Sequence, residues 1–272
     1  MLYRAKNHTL KIKNTEMDYI TFGSGSEILV LISGLNLSDA RGSALALAYM
    51  YRIFAKDYKV YCFDRKKEIP EGYTVEDIAS DIAYAMKSLN LKAASVFGIS
   101  QGGMIAQYLA LNHPQLVKNL VLAVTLSRTN DTVLEVVNGW VSMAERGLYE
   151  EIVKDMVQKL YSDAYIKKYR LILPVVVKFP KPKNPQRFIT LAKSCLTCNT
   201  YEMLEKIQCP VLVLGGSKDK IVTGAASTEI AQKLNCEIYM YENLGHSAYE
   251  EAKDFNRRVY DFLSEKANPC IT

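Results

Sequence analysis

The stretch VFGISQGGMIAQ, residues 96–107, decides how this chain is read. Gly98-Ile99-Ser100-Gln101-Gly102 is a GxSxG pattern. In a chain with 14 glycines such a pattern arises by chance often enough that its surroundings must settle it. Residues 94–100, ASVFGIS, are apolar and strand-like. Gln101 to His113 carries helical spacing and stops at Pro114. A serine at so sharp a strand-to-helix turn sits on a strained backbone. Gly98 and Gly102 keep side chains out of the crossing of strand and helix, and Gly103 adds room. The hydroxyl then stands at the carboxyl end of a sheet, where open α/β sheets bind ligands. The helix N-terminus also offers free N–H groups to developing negative charge. A phosphate-binding turn would read GxGxxG or GK[ST], and neither is present here.

Serine is a poor nucleophile near neutral pH without a base, and the base needs an orienting acid. The chain has three histidines. His8 lies in a first strand, and His113 sits in LNHPQL at a helix end, where it meets the helix dipole; both read as structural or exposed. His246, in ENLGHSAYEE, lies in a short loop after the final strand and before the last helix, and is the base of choice. The acid should fall between serine and histidine in chain order. Asp219, in LGGSKDKIV just past a strand, fits best. Its rival Asp131 follows an earlier strand and more naturally caps a helix. Glu250 and Glu251 follow His246 too closely to reach its far nitrogen.

Outward from this centre, strands alternate with helices. Residues 9–13 and 17–22 suggest a hairpin, and strands follow at 27–33, 58–64, 94–100 and 119–125. Helical spacing covers 40–56, and Thr74 with Asp77 opens a further helix through about Leu89 as a capping box with a shorter acid. From Ser127 to Lys206 the signals turn helical, at 131–146, 149–161, 163–174 and 185–198. The apolar run LILPVVV (171–177), bent at Pro174, reads as helical packing or a pocket wall. KFPKPKNPQR (178–187) reads as a proline-interrupted loop. The alternation resumes with a strand at 209–216, a helix near 224–234, a strand at 236–242 and a last helix at 249–265. The fold class expected is α/β: a mostly parallel sheet flanked by helices, with a helical cap inserted. Residues 1–126 and 207–272 form the core, and 127–206 the cap.

Composition sets the outer bounds. Of 272 residues 49% are hydrophobic and 23% charged, so a sizeable core can be buried. The net charge of +5 is mild and dispersed, with no basic helix interleaved with aromatics, so nucleic acid is not an expected partner. The first residues, MLYRAKNHTLKIKN, lack the apolar region of a signal peptide, and no apolar run approaches the roughly 20 residues of a spanning helix. The expectation is a cytoplasmic chain with no membrane span; its oligomeric state is not legible. Cys195 and Cys198 form a CxxC, but a zinc site would want a second pair or nearby histidines, and a redox site would want the motif to open a helix. No metal or cofactor is therefore expected. Trp140, Tyr161, Tyr165 and Tyr169 fall within the cap, either as its packing or as pocket lining.

GISQGG, LGGSKDKIV, ENLGHS and the NHPQLVKNLVLA that follows the nucleophile helix together resemble the α/β-hydrolase superfamily over nearly the whole chain. The likeness is greatest to the cap-bearing carboxylesterases, enol-lactonases and carbon–carbon bond hydrolases. The resemblance implies an oxyanion hole of two backbone N–H groups, from Gln101 and from Leu35 in SGLN, where many relatives have His-Gly in place of Ser33-Gly34. It implies a Ser100–His246–Asp219 triad acting on a small acyl substrate. FDRKKEIPEGYT (63–74) departs from the family's glycine-rich loop, and its Asp64 and Arg65 read as salt-bridging residues, or else as pocket lining. Ser100 sets the chain apart from the dehalogenases and epoxide hydrolases, which resemble it but carry aspartate there. Gln101, rather than tryptophan, sets it apart from the proline iminopeptidases. Trp140, Tyr161 and Tyr165 are the candidate substrate contacts. A transferase passing the acyl group to an alcohol or thiol would use the same triad, and a non-catalytic binding protein would use only the fold.

Overall fold

The computed structural model describes residues 2–37, 42–171 and 184–267. Its strands are β1 (Lys6–Ile12), β2 (Thr15–Phe22), β3 (Glu27–Ile32), β4 (Tyr58–Lys66), β5 (Ala94–Ile99), β6 (Val117–Ala123), β7 (Val211–Gly216) and β8 (Glu237–Tyr241). They form one eight-stranded sheet in the order β1-β2-β4-β3-β5-β6-β7-β8. The β1–β2 and β2–β4 pairs are antiparallel, and every other pair is parallel. Helices α1 (Ala44–Met50), α2 (Val75–Ser88) and α3 (Gln101–Asn112) belong to the first half. Between β6 and β7 come α4 (Asp131–Glu145), α5 (Tyr149–Leu160), α6 (Asp163–Tyr169) and α7 (Pro185–Ser194). Helices α8 (Gly224–Leu234), α9 (Ala248–Glu251) and α10 (Phe255–Ala267) complete the chain.

The apolar runs form strands because both faces of the sheet are covered. Along β3, Val30 and Ile32 join the core that holds Ile78 and Ile82 of α2. Leu29 and Leu31 point the other way, into the core shared with Phe54, Val259 and Leu263. β5 and β7 are buried along their whole length, whereas β8, at the sheet edge, is exposed over its first three residues. The α/β class, the mostly parallel sheet and the flanking helices are as the sequence indicates. The capping box of α2 also forms: Asp77 N–H donates to Thr74 Oγ1 at 3.1 Å, and Thr74 N–H to Asp77 Oδ2 at 2.9 Å.

Several boundaries differ from expectation. Helix 40–56 is α1 followed by a 3₁₀ turn, Arg52–Phe54. Helix 185–198 stops at Ser194 and continues as a 3₁₀ turn to Thr197. The last helix is two, broken at Ala252, which is extended. That break lets Glu251 accept from Ser162 N–H at 2.9 Å while Phe255 and Val259 bury themselves against the sheet. Of LILPVVV only Leu171, which is exposed, is described, and of the proline-rich loop only residues 184–187. The rest of both stretches lies outside the described residues, as does the end of helix 163–174. Among the described residues no helix is long and apolar enough to cross a membrane.

Candidate active site

Ser100 heads α3 with φ 55° and ψ −120°, a conformation that L residues rarely adopt. Its carbonyl accepts from Thr125 Oγ1 at 2.8 Å, and its N–H donates to Ala123 O at 2.9 Å. The glycines are sterically required. A Cβ on Gly98 would stand 2.4 Å from Gly102 O, and one on Gly102 would stand 1.9 Å from Ile32 O. Strand β5, helix α3 and the end of β3 therefore touch backbone to backbone beneath the serine.

Two further strand ends bring up the remaining groups. His246 is buried in the loop after β8, and Asp219 in the turn after β7. These loops pack together: Lys218 N–H donates to Leu244 O at 3.0 Å. His246 Nε2 lies 2.8 Å from Ser100 Oγ, and Nδ1 lies 2.8 Å from Asp219 Oδ2. The other Asp219 oxygen accepts from the N–H groups of Ile221 at 2.8 Å and Val222 at 3.0 Å, which fixes the carboxylate plane. With Nδ1–H on the carboxylate, Nε2 presents its lone pair to the hydroxyl, the arrangement a general base needs. Asp131 is exposed in the first turn of α4 and is not its cap; Asn130 takes that place, accepting from Val133 N–H at 2.9 Å. His8 is spent on Thr21 Oγ1, 2.8 Å away.

Gln101 and Leu35, expected to supply the oxyanion donors, lie beside the serine and along its adjoining cavity. Gln101 N–H lies in the first turn of α3, where N–H groups have no acceptor within the helix. The 33–35 loop passes closely enough that a Cβ on Gly34 would stand 3.6 Å from Ser100 Oγ, and Leu35 lines the adjoining cavity.

That cavity holds about 560 Å³ over Ser100 and His246. Trp140, Tyr161 and Tyr165 all line it, beside Val133 and Val137 of α4 and Val157 of α5. Trp140 Nε1 donates to Asp155 Oδ2 at 2.7 Å, so its indole is fixed from behind. Tyr161 and Tyr165 stack with centroids 4.6 Å apart. Tyr161 OH donates to Glu250 Oε2 at 2.6 Å. Glu250 also lines the cavity. Its outer surface is exposed, yet packing desolvates its carboxyl and raises its pKa against the hydrogen bonds from Tyr161 and Tyr249.

Asp64 makes the salt bridge its sequence suggests, with Arg187 of α7 at 3.4 Å. Two features escaped sequence reasoning. Arg65 turns inward, 3% exposed, onto Ser33 and the side chain of Gln101. The only available signal was an arginine closing an apolar strand. Glu250 carried no signal beyond its closeness to His246. Cys195 and Cys198 are both buried, and burial pushes each thiol up to about 12. Cys195 Sγ accepts from Gln101 Nε2 at 3.3 Å. Among the described residues no group of three or more His, Cys, Asp or Glu is placed to hold a metal ion.

The family model for the alpha/beta hydrolase fold matches residues 28–253. The chain belongs to the alpha/beta hydrolase fold family. Among family relatives, the 3-oxoadipate enol-lactonase 2 of Acinetobacter baylyi is 22% identical over 264 residues, covering 92% of this chain and 94% of its own. A protein of Serratia proteamaculans, provisionally assigned as the carbamate hydrolase RutD, is 26% identical over 75% of this chain and 78% of its own. The crystal structure of the enol-lactonase from Burkholderia xenovorans superposes with a TM-score of 0.82 at 21% identity, over 95% of this chain and all of that one.

Proposed function

We propose that this alpha/beta hydrolase is a serine hydrolase that cleaves a carboxylic ester, thioester or lactone through an acyl-enzyme on Ser100. The observation that carries this reading is the continuous contact Ser100 Oγ–His246–Asp219, with both gaps at 2.8 Å, on a strained elbow beneath an apolar cavity. Ser100 Oγ attacks the substrate carbonyl as His246 Nε2 takes its proton. The tetrahedral oxyanion is held by the N–H groups of Gln101 and Leu35, each donor of this kind commonly worth about 100- to 1,000-fold in turnover. The imidazolium, stabilised by Asp219, returns its proton to the leaving oxygen or sulfur. Water, deprotonated by the same imidazole, then releases the acid and restores the serine.

Helices α4 to α6 act as a cap that closes the cavity over the serine. Trp140, Tyr161 and Tyr165 contact the substrate there, and the valines of α4 and α5 favour a hydrocarbon acyl portion. The enol-lactonase relatives support the lactone arm of this reading, and the carbamate assignment adds a carbamate ester to the substrates worth testing. The test is a panel of p-nitrophenyl esters, thioesters, lactones and carbamates offered to the wild type and to Ser100→Ala. Turnover by the wild type and loss of at least about 1,000-fold in the variant are expected. Equal activity in the two would place the chemistry on another residue.

A further inference from the structure

Arg65, next to last in β4, carries its charged group inside the protein, which is costly unless that group is hydrogen-bonded. Two of its nitrogens make three hydrogen bonds, to acceptors on Ser33 and Gln101. Nη2 donates to Ser33 O at 2.7 Å and to Gln101 Oε1 at 2.8 Å, while Nη1 reaches Ser33 Oγ at 3.3 Å. Ser33 opens the loop that carries Leu35, and Gln101 carries the other expected oxyanion donor on its own backbone. One nitrogen thus ties together the two walls between which negative charge would develop. The Gln101 amide is gripped at its other end as well, Nε2 donating to Leu191 O of α7 at 2.7 Å and to Ser194 Oγ at 3.1 Å.

Resting on the hydrolase reading above, we propose that Arg65 is the positioning residue of the oxyanion site: its fork fixes the Ser33–Leu35 loop against Gln101 so that both backbone donors are in place before reaction. The planar guanidinium suits this task because its donors hold fixed directions, which the flexible, single-headed ammonium of lysine lacks. The site needs no reorganisation as charge appears, which is where such donors gain their advantage over water. The cation also stands behind the loop, where its positive field favours an oxyanion in a site shielded from solvent.

A residue that merely holds the fold would lower stability and leave each folded molecule fully active. A positioning residue changes kcat. The experiment compares wild type, Arg65→Met and Arg65→Lys with a short p-nitrophenyl ester, the concentration of folded enzyme being set by circular dichroism. It also measures the affinity of an aryl trifluoromethyl ketone, which adds to the serine to give a tetrahedral oxyanion. For Arg65→Met we expect kcat to fall about 100-fold with KM within about threefold, and ketone affinity to fall in proportion to kcat/KM. Arg65→Lys, which keeps the charge but lacks the fork, should recover part of that loss and remain about tenfold below wild type.

Wild-type kcat in folded Arg65→Met, or a loss carried wholly by KM, would overturn the proposal while leaving the hydrolase reading intact. If Arg65→Met does not fold, Arg65→Lys decides alone, and wild-type kcat in that variant overturns the proposal. Failure of both variants to fold makes Arg65 a structural residue and overturns it too. A wild type that turns over no substrate and binds no ketone removes the hydrolase reading and this inference together.

Discussion

The cavity has one wall made of strand ends and another made of helices α4 and α5, and the two differ in what they are made of. Beneath Ser100 the contacts are backbone on backbone: Gly98 against Gly102, and Gly102 against the Ile32 carbonyl, at separations no Cβ could enter. Opposite it the lining comes from residues of helices α4 and α5, Val133, Val137, Trp140 and Val157. The first wall can hold only one geometry. The second can change residue by residue while its helices stay in place. On the proposed function, reaction chemistry belongs where the backbone dictates position, and substrate choice where exchangeable side chains do.

Breaking the first wall should be costly. Asp219→Asn keeps the shape but favours the wrong imidazole tautomer, so kcat should fall about 10,000-fold, while Asp131→Asn, on the exposed turn of α4, should stay within about twofold. Steady-state kinetics of the two variants on one ester would show it. Equal losses would mean that Asp219 does not orient the base.

The helical wall should respond differently. Val137→Phe fills part of the cavity and should move the preferred acyl chain to a shorter length. The hexanoyl ester should lose about tenfold in kcat/KM relative to the acetyl ester, the scale of one or two methylene groups in an apolar pocket. The kcat on the acetyl ester should change by less than about threefold. A matching collapse on both esters would mean that the wall takes part in the chemistry rather than in selection.

The smallest effect concerns the border between the walls. The folded state raises the Glu250 pKa, so between the ordinary carboxylate range and that raised value the folded protein binds more protons than the unfolded chain. Stability attached to this group therefore falls as pH rises through that window, and the cost is complete above it. Glu250→Gln keeps an acceptor for Tyr161 but removes the charge. It should melt about 1–2 °C above wild type at pH 8, with the difference vanishing near pH 4. A gain that persisted unchanged at pH 4 would separate it from ionisation.

What the sequence made legible divides along the same line. Ser100, Asp219 and His246 stood out because each follows a strand, and strand ends at one edge of a parallel sheet must converge. The glycines around Ser100 announced the tight crossing because only a missing side chain permits it. Arg65 was not legible: its meaning depends on Gln101, 36 residues away, and on which way a strand-end side chain turns. The break at Ala252 was hidden for a similar reason, since helical spacing runs through it while the tie between Glu251 and Ser162 joins segments 89 residues apart. Asp131 reads as a helix cap in the sequence, yet Asn130 one residue before it takes that place, because the turn brings its Oδ1 onto Val133 N–H.

The central claim is that the strained serine is the nucleophile, activated by the imidazole beside it. The most direct measurement is labelling of the intact protein with a fluorophosphonate, followed by mass mapping of the adduct. One phosphonyl group per chain on Ser100, absent in Ser100→Ala and slowed at least about 100-fold in His246→Ala, is the expected result. An unlabelled wild type, or an adduct that persists in Ser100→Ala, would contradict it.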